Sequence, residues 1–335
     1  MLSAARRSAA VLVLSCAGAA AAAQQPAARP ADPKQLQQAA GRGDARAEYQ
    51  LALFYADAAS PSHNDALSVD WLKKAAGQGL ADAESDLALW YLAGAHGVMA
   101  DPMEAARLWQ MAADQGLAVA QYGLAQLYAN GVGVPEDSAQ AVRWWRKAAE
   151  QGHPYAQNML AKSYFDGTGV EQNLAEAISW WTKAAAQGHA AAMFNLGAAY
   201  SIGRGVEKDM TQAAEWWRKG SDAGDVSAMN ALAAAYAAGS GVMKDLGEAA
   251  RWWRAAAEKG DPTAQHALAL AYFTGNGVDR DLIEAYKWLH VAVQLSDPAD
   301  RQSHMIAREA VGTNMTADNM AEAQKRAREW IDAHK

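Results

Sequence analysis

Ala120–His153 reads AQYGLAQLYANGVGVPEDSAQAVRWWRKAAEQGH, and Ala156–His189 reads AQNMLAKSYFDGTGVEQNLAEAISWWTKAAAQGH. The two stretches share alanines, a leucine, a tyrosine, loop glycines and a tryptophan pair in one register, 36 residues apart. The register continues along the chain, with Trp71, Leu108, Trp144, Trp180, Trp216, Trp252 and Trp288 falling first 37 and then 36 residues apart. Self-similarity at one fixed period marks a small supersecondary unit that cannot bury its apolar face alone and is stacked on copies of itself.

Each unit opens with A-x-x-x-L-(A/G)-x-x-Y: Ala47-Leu51-Tyr55, Ala83-Leu87-Tyr91, Ala120-Leu124-Tyr128, Ala156-Leu160-Tyr164, Ala192-Leu196-Tyr200, Ala228-Leu232-Tyr236 and Ala264-Leu268-Tyr272. Steps of four place each trio on one face of a helix. From the third unit on, G-x-G-V follows, as in Gly131–Val134 and Gly167–Val170; the glycines end the helix and permit positive φ. Asp or Asn then stands three residues before Glu or Gln, as in Asp137/Gln140, Asn173/Glu176 and Asp209/Gln212, the pattern of a capping box. A second helix, A-x-x-W-(W)-x-x-A-A, runs to a closing glycine such as Gly152 or Gly188. The expected fold is all-α, an α-solenoid of about seven helix-turn-helix repeats, because short loops force successive helices to pack side by side. The ring columns Trp71, Trp144, Trp180, Trp216, Trp252 and Trp288, and Tyr128, Tyr164, Tyr200, Tyr236 and Tyr272, are expected to be repeat core.

In these motifs the chain resembles the Sel1-like repeat family, relatives of the tetratricopeptide repeats, over about residues 37–296. The resemblance implies a right-handed α-solenoid with a concave face. It also implies a non-enzymatic role, as an adaptor in signalling, envelope regulation or host contact.

The ends depart from the period. Arg6 and Arg7 precede a run of small and apolar residues, Ala9 to Ala23, that closes in Ala21-Ala22-Ala23. A charged start, a short apolar body and an A-x-A end are those of a secretory signal peptide, residues 1–23. Lipid anchoring at Cys16 and a mitochondrial transit peptide are the competing readings. Residues 24–36, rich in Ala, Pro and Gln, are expected to be a disordered linker. Residues 297–335 are expected to form a helical cap, from the stripe Met320, Ala323, Ala327, Trp330 and Ile331. The first repeat lacks loop glycines, carrying Ala58-Ala59-Ser60-Pro61, and the second has an extra loop residue in Gly94-Ala95-His96-Gly97. Terminal repeats of stacked arrays are commonly atypical, although a docking surface is the other reading of these two.

Composition limits the chemistry. Cys16 is the sole cysteine, so a chain cleaved after Ala23 has no disulfide and no thiolate ligand. The formal charge is −7, with Lys and Arg set among acids and no basic surplus, which speaks against nucleic acid; no later apolar run has membrane length. His153 and His189 occupy equivalent places, but successive repeats lie about 10 Å apart, too far for two ligands on one metal. The G-x-G loops follow helices and lack G-K-[ST], so no phosphate cradle or cofactor is expected. Neither G-x-S-x-G nor S-x-x-K occurs, which counts against the enzymatic alternative, an envelope hydrolase or β-lactam-binding protein.

A binding surface is the stronger candidate. With Ala47, Leu51, Ala52 and Tyr55 inward, the helical wheel turns outward the column Tyr49, Ser85, Tyr122, Asn158, Phe194, Asn230 and His266, and beside it Leu53, Leu89, Gln126, Lys162, Ala198, Ala234 and Leu270. Tyr49, Tyr122, Asn158, Lys162, Phe194, Asn230 and His266 are therefore the candidate concave-face residues: rings supply anchors, and amides can bond an extended peptide. The alternative is that they pack locally. The expected function is an exported, periplasmic adaptor or regulator that binds a protein or peptide, with a secreted host-interaction factor as a further alternative.

Overall fold

The computed structural model describes residues 33–334, so the signal-peptide reading and the Cys16 anchor lie outside the described residues. Those residues form 17 α-helices and no strand. The chain divides into two compact units, the first ending at Ala184 and the second beginning at Ala185.

The first unit holds α1 (Pro33–Ala40), α2 (Ala45–Ala56), α3 (Asp65–Gly77), α4 (Ala81–Ala93), α5 (Pro102–Asp114), α6 (Ala118–Asn130), α7 (Ser138–Glu150), α8 (Pro154–Asp166) and most of α9 (Leu174–Ala186). Apart from α1, these are the helix pairs of the first four repeats, and successive helices from α1 to α8 pack on one another. Leu51, Leu87, Leu124 and Leu160, the central residues of the repeated trio, are all buried, each contributing about 1.5–3 kcal/mol of transfer free energy. The linker expected over 24–36 runs too far: from Pro33 the chain is helical, and Leu36 and Ala40 are buried against Leu51, Tyr55 and Trp71. An Ala- and Gln-rich stretch reads as linker only until an apolar neighbour is there to cover.

The second unit holds α10 (Ala190–Ile202), α11 (Met210–Asp222), α12 (Val226–Ala238), α13 (Leu246–Glu258), α14 (Pro262–Thr274), α15 (Leu282–Leu295), α16 (Pro298–Gly312) and α17 (Ala317–Ala333). The first six are the helix pairs of repeats five to seven. The C-terminal cap has two helices rather than the one its apolar stripe announces, and both α16 and α17 pack on α15.

The capping box forms by half. Asp137, Asp209, Asp245 and Asp281 each accept from the backbone N–H three residues on. Their own N–H groups do not turn to the Glu or Gln side chain. They donate to the carbonyl of the repeat tyrosine, Asp137 to Tyr128 at 2.9 Å and Asp245 to Tyr236 at 3.0 Å, pinning the second helix to the end of the first. The freed glutamates pair with a base one turn on, as Glu104 does with Arg107 and Glu248 with Arg251.

Candidate functional site

The column at position 49 forms links between repeats rather than an open row. In the first unit the Tyr49 hydroxyl donates to Asp86 Oδ2 at 2.7 Å. Burial raises the Asp86 carboxyl above the ordinary carboxylate range, while the bond from Tyr49 works in the opposite direction. Tyr122, expected on the exposed face, is only 3% exposed. Its ring stacks on His153 at 5.1 Å, and its hydroxyl accepts from Gln126 Nε2 at 3.2 Å. Asn158 is half-buried. In the second unit Phe194 packs on the core, Asn230 Nδ2 donates to Asp261 Oδ1 at 2.9 Å, and His266 meets His304. The wheel gives a side chain's angle on its own helix but not the position of the next helix. Asp86 lies within the following repeat's first helix, and His153 and Asp261 cap the start of theirs; all three fill the space this column faces.

The neighbouring column is more open: Leu53, Lys162, Ala234 and Leu270 are exposed. Lys162 borders a cavity of about 150 Å³ in the first unit, lined also by Ala129, Ser138, Trp145, Met159 and Asp166. The Lys162 ammonium lies 2.6 Å from Asp166 Oδ2 across one helical turn, and its side chain is 60% exposed. An exposed pair of this kind contributes little to stability, which leaves the cation free to exchange its carboxylate. The arrangement is an apolar floor of Trp145, Met159 and Ala129 with a cation at its rim, suited to an acidic or amide side chain carried on an apolar stem. Of the seven predicted contact residues, this cavity includes Lys162.

The predicted core rings occupy two environments. The first tryptophan lies under a cation in every repeat that has one, and Trp144, Trp252 and Trp288 are buried in the core: Lys74 is 3.8 Å from the Trp71 ring centre, Lys147 3.7 Å from Trp144 and Lys183 3.7 Å from Trp180. Within the second unit Lys219 covers Trp216, Arg251 covers Trp252 and Lys287 covers Trp288. The second tryptophan, at positions 109, 145, 181 and 217, is buried. The tyrosines bond through their hydroxyls as well as packing. Arg146 donates to Tyr164 at 2.8 Å, Arg254 to Tyr272 at 2.7 Å and Arg218 to Tyr236, each joining one repeat to the next; Tyr128 and Tyr200 are half-buried.

Two sets of polar residues escaped sequence reasoning. His153 and His189 are helix N-caps: their Nδ1 atoms accept from the N–H of Ala156 and Ala192, both at 3.2 Å. Burial lowers the His189 pKa. Their shared position just before a helix was the available signal. The second set links the end of one second helix to the flanking first helix: Gln78 donates to Glu48, Gln115 to Glu84 and Gln151 to Gln121, at 2.7 to 2.8 Å. Among the described residues, no group of three or more His, Cys, Asp or Glu side chains is placed to hold a metal ion, and no helix is long and apolar enough to cross a membrane.

Seven consecutive Sel1 repeats match the sequence, over residues 45–80, 81–117, 118–153, 154–189, 190–225, 226–261 and 262–297. A Sel1 repeat protein from Oxalobacter formigenes is 30% identical with a TM-score of 0.65, the likeness covering 72% of this chain and 96% of that one. A protective antigen present in uropathogenic Escherichia coli strains, displaying an SLR fold, is 24% identical with a TM-score of 0.52, over 90% of this chain and 95% of the other. At that identity the likeness is one of fold. No curated protein matches.

Proposed function

The chain belongs to the Sel1 repeat family, whose repeats build protein-interaction scaffolds, and from that premise we propose that it is a protein-binding adaptor or regulator exported to the bacterial periplasm. Export rests on Arg6, Arg7 and the apolar run to Ala23. The protein or peptide partner binds on the face carried by the first helices, the concave face that stacked pairs of this kind present. Position-49 residues hold that face together, and the open column beside them makes contact.

The cavity at Lys162 carries this reading. It offers an apolar floor with a single exchangeable cation at the rim, the layout of a pocket for one anchoring side chain. An acidic residue of the partner displaces Asp166 from Lys162 while its stem covers Met159 and Trp145. A photo-crosslinking residue at Thr168, on the cavity wall, should capture one envelope protein in the cell of origin, and Lys162→Glu should abolish capture. Equal capture from exposed position 244 would sink the assignment. Export is checked separately, by a mature N-terminus at Gln24 in the periplasmic fraction.

A further inference from the structure

His266 on α14 and His304 on α16 meet with their Nδ1 atoms 2.8 Å apart and their ring centres 4.9 Å apart. His304 is 6% exposed and, with Val311, is one of the two residues that α16 buries. The remaining polar attachment of α16 is at its start, where Arg301 Nη2 donates to the Ser296 carbonyl at 2.9 Å. For a fifteen-residue helix this is a slender anchorage, and one of its two buried residues is an imidazole bonded to another imidazole. We propose that the His266–His304 pair is an acid-operated latch that holds α16 on the last repeat and releases it when both rings carry a proton.

The chemistry follows from proton counting. Two imidazoles joined through Nδ1 atoms need one donor and one acceptor, so the neutral pair holds one Nδ1–H and one bare Nδ1. A first proton goes to Nε2 of the donor ring; the donor becomes imidazolium and the bond is charge-assisted. A second proton can only go to the accepting Nδ1. Two N–H groups and two positive charges would then face each other at 2.8 Å, and the contact must open.

Several charged groups surround the pair. Asp300, on α16 itself, favours a proton on His304, whereas burial disfavours it on both rings and His304 further disfavours it on His266. His290 on α15 is likewise pushed down, by burial and then by Arg308 on α16 and Arg328 on α17. Because the docked rings bind protons less readily than free imidazole, the docked state loses stability as pH falls through about 6.5. Release of α16 uncovers the His266 side of α14, next to exposed Leu270.

Hydrogen–deuterium exchange on the full chain tests this, at pH 7.5 and 5.0 after correction for intrinsic exchange. Protection over residues 302–312 should be largely lost at pH 5.0, while protection in α12 should hold. His304→Gln and His266→Gln each leave an amide oxygen that accepts from the remaining ring whether or not that ring is charged, so either should remove the pH dependence. Unchanged protection in the wild type, or an undiminished loss in both variants, would overturn the proposal. The second outcome would point to His290 instead.

Discussion

Gly169 in the fourth repeat and His96 in the second both fasten a loop to the first residue of the preceding repeat's second helix, by opposite means. At Gly169 the backbone itself makes the contact: φ is +71°, and a Cβ there would lie 2.2 Å from the Ser138 carbonyl oxygen. Gly133 lies in the same way on Pro102. In the second repeat the equivalent Gly97 has nothing within 4 Å. The extra loop residue instead puts His96 into the left-handed region at φ 53°, with Nδ1 2.6 Å from Asp65 Oδ1 and its ring 4.1 Å from that of Trp90. Asp65 begins α3 as Ser138 begins α7 and Pro102 begins α5. The second loop glycine of the repeat is therefore an inter-repeat contact as much as a turn. Where an insertion lifts the backbone away, a side chain takes over its role.

The largest expected effect comes from breaking that equivalence. Gly169→Ala meets both the left-handed penalty and a collision with backbone that cannot swing aside, and should cost about 3 kcal/mol or more. Gly97→Ala, with the same sign of φ and open space, should cost about 1 kcal/mol. His96→Ala should cost about 1–1.5 kcal/mol through the lost bond to Asp65. Urea midpoints of the three variants check the order. Equal shifts for Gly169→Ala and Gly97→Ala would show that the glycines serve φ alone.

Much of this architecture was legible because each repeated letter answers a local demand: leucine to the core, glycine to positive φ, aspartate to bare N–H groups at a helix start. What depends on the next repeat was not. Tyr122 and Asn230 point outward on their own helices and become linking residues because His153 and Asp261 arrive from the neighbouring one. α16 left almost no periodic signal, since it buries little beyond His304 and Val311. The cavity at Lys162 follows from the spacing of α7 and α8, which no single-helix pattern encodes.

A smaller effect sharpens the contrast between regular and irregular repeats at position 84. The third, fourth and seventh repeats place Gln121, Gln157 and Gln265 there, and each amide donates to a carbonyl eight residues earlier at 3.2 Å. The second repeat has Glu84, fully buried, with Oε2 accepting from Gln115 and Oε1 without a partner. Burial raises its pKa above the ordinary 4.5, with Gln115 and Arg107 opposing. The folded chain therefore holds this proton more tightly than the unfolded chain does, and stability falls as pH rises through the raised value. Glu84→Gln restores a donor toward the Ala76 carbonyl, the equivalent acceptor, and removes the charge. It should stabilise the chain by about 1 kcal/mol at pH 7 and show no gain at pH 4. Thermal melts at the two pH values check it, and a destabilised variant at pH 7 would mean that the carboxylate is the better partner for Gln115.

The smallest effect asks whether the regular repeats are equivalent among themselves. In the second unit α12 and α14 are capped by Asp225 and Asp261, each accepting at 2.7 Å, while α10 is capped by the His189 ring at 3.2 Å. An imidazole can cap only while Nδ1 is bare, and an imidazolium at a helix N-terminus also opposes the helix dipole. Burial holds the His189 pKa below 6.5, so the folded state binds the proton less readily than the unfolded state. Stability at this cap is therefore lost as pH falls through about 6.5 toward the lowered value. A carboxylate stays ionised across that interval. His189→Asp should change stability by about 0.5 kcal/mol or less at pH 8 and raise it by about 1 kcal/mol at pH 5, read as the difference between urea midpoints at the two pH values. A constant difference would mean that the His189 ring takes up its proton equally in the folded and unfolded chain, so that its cap carries no pH dependence.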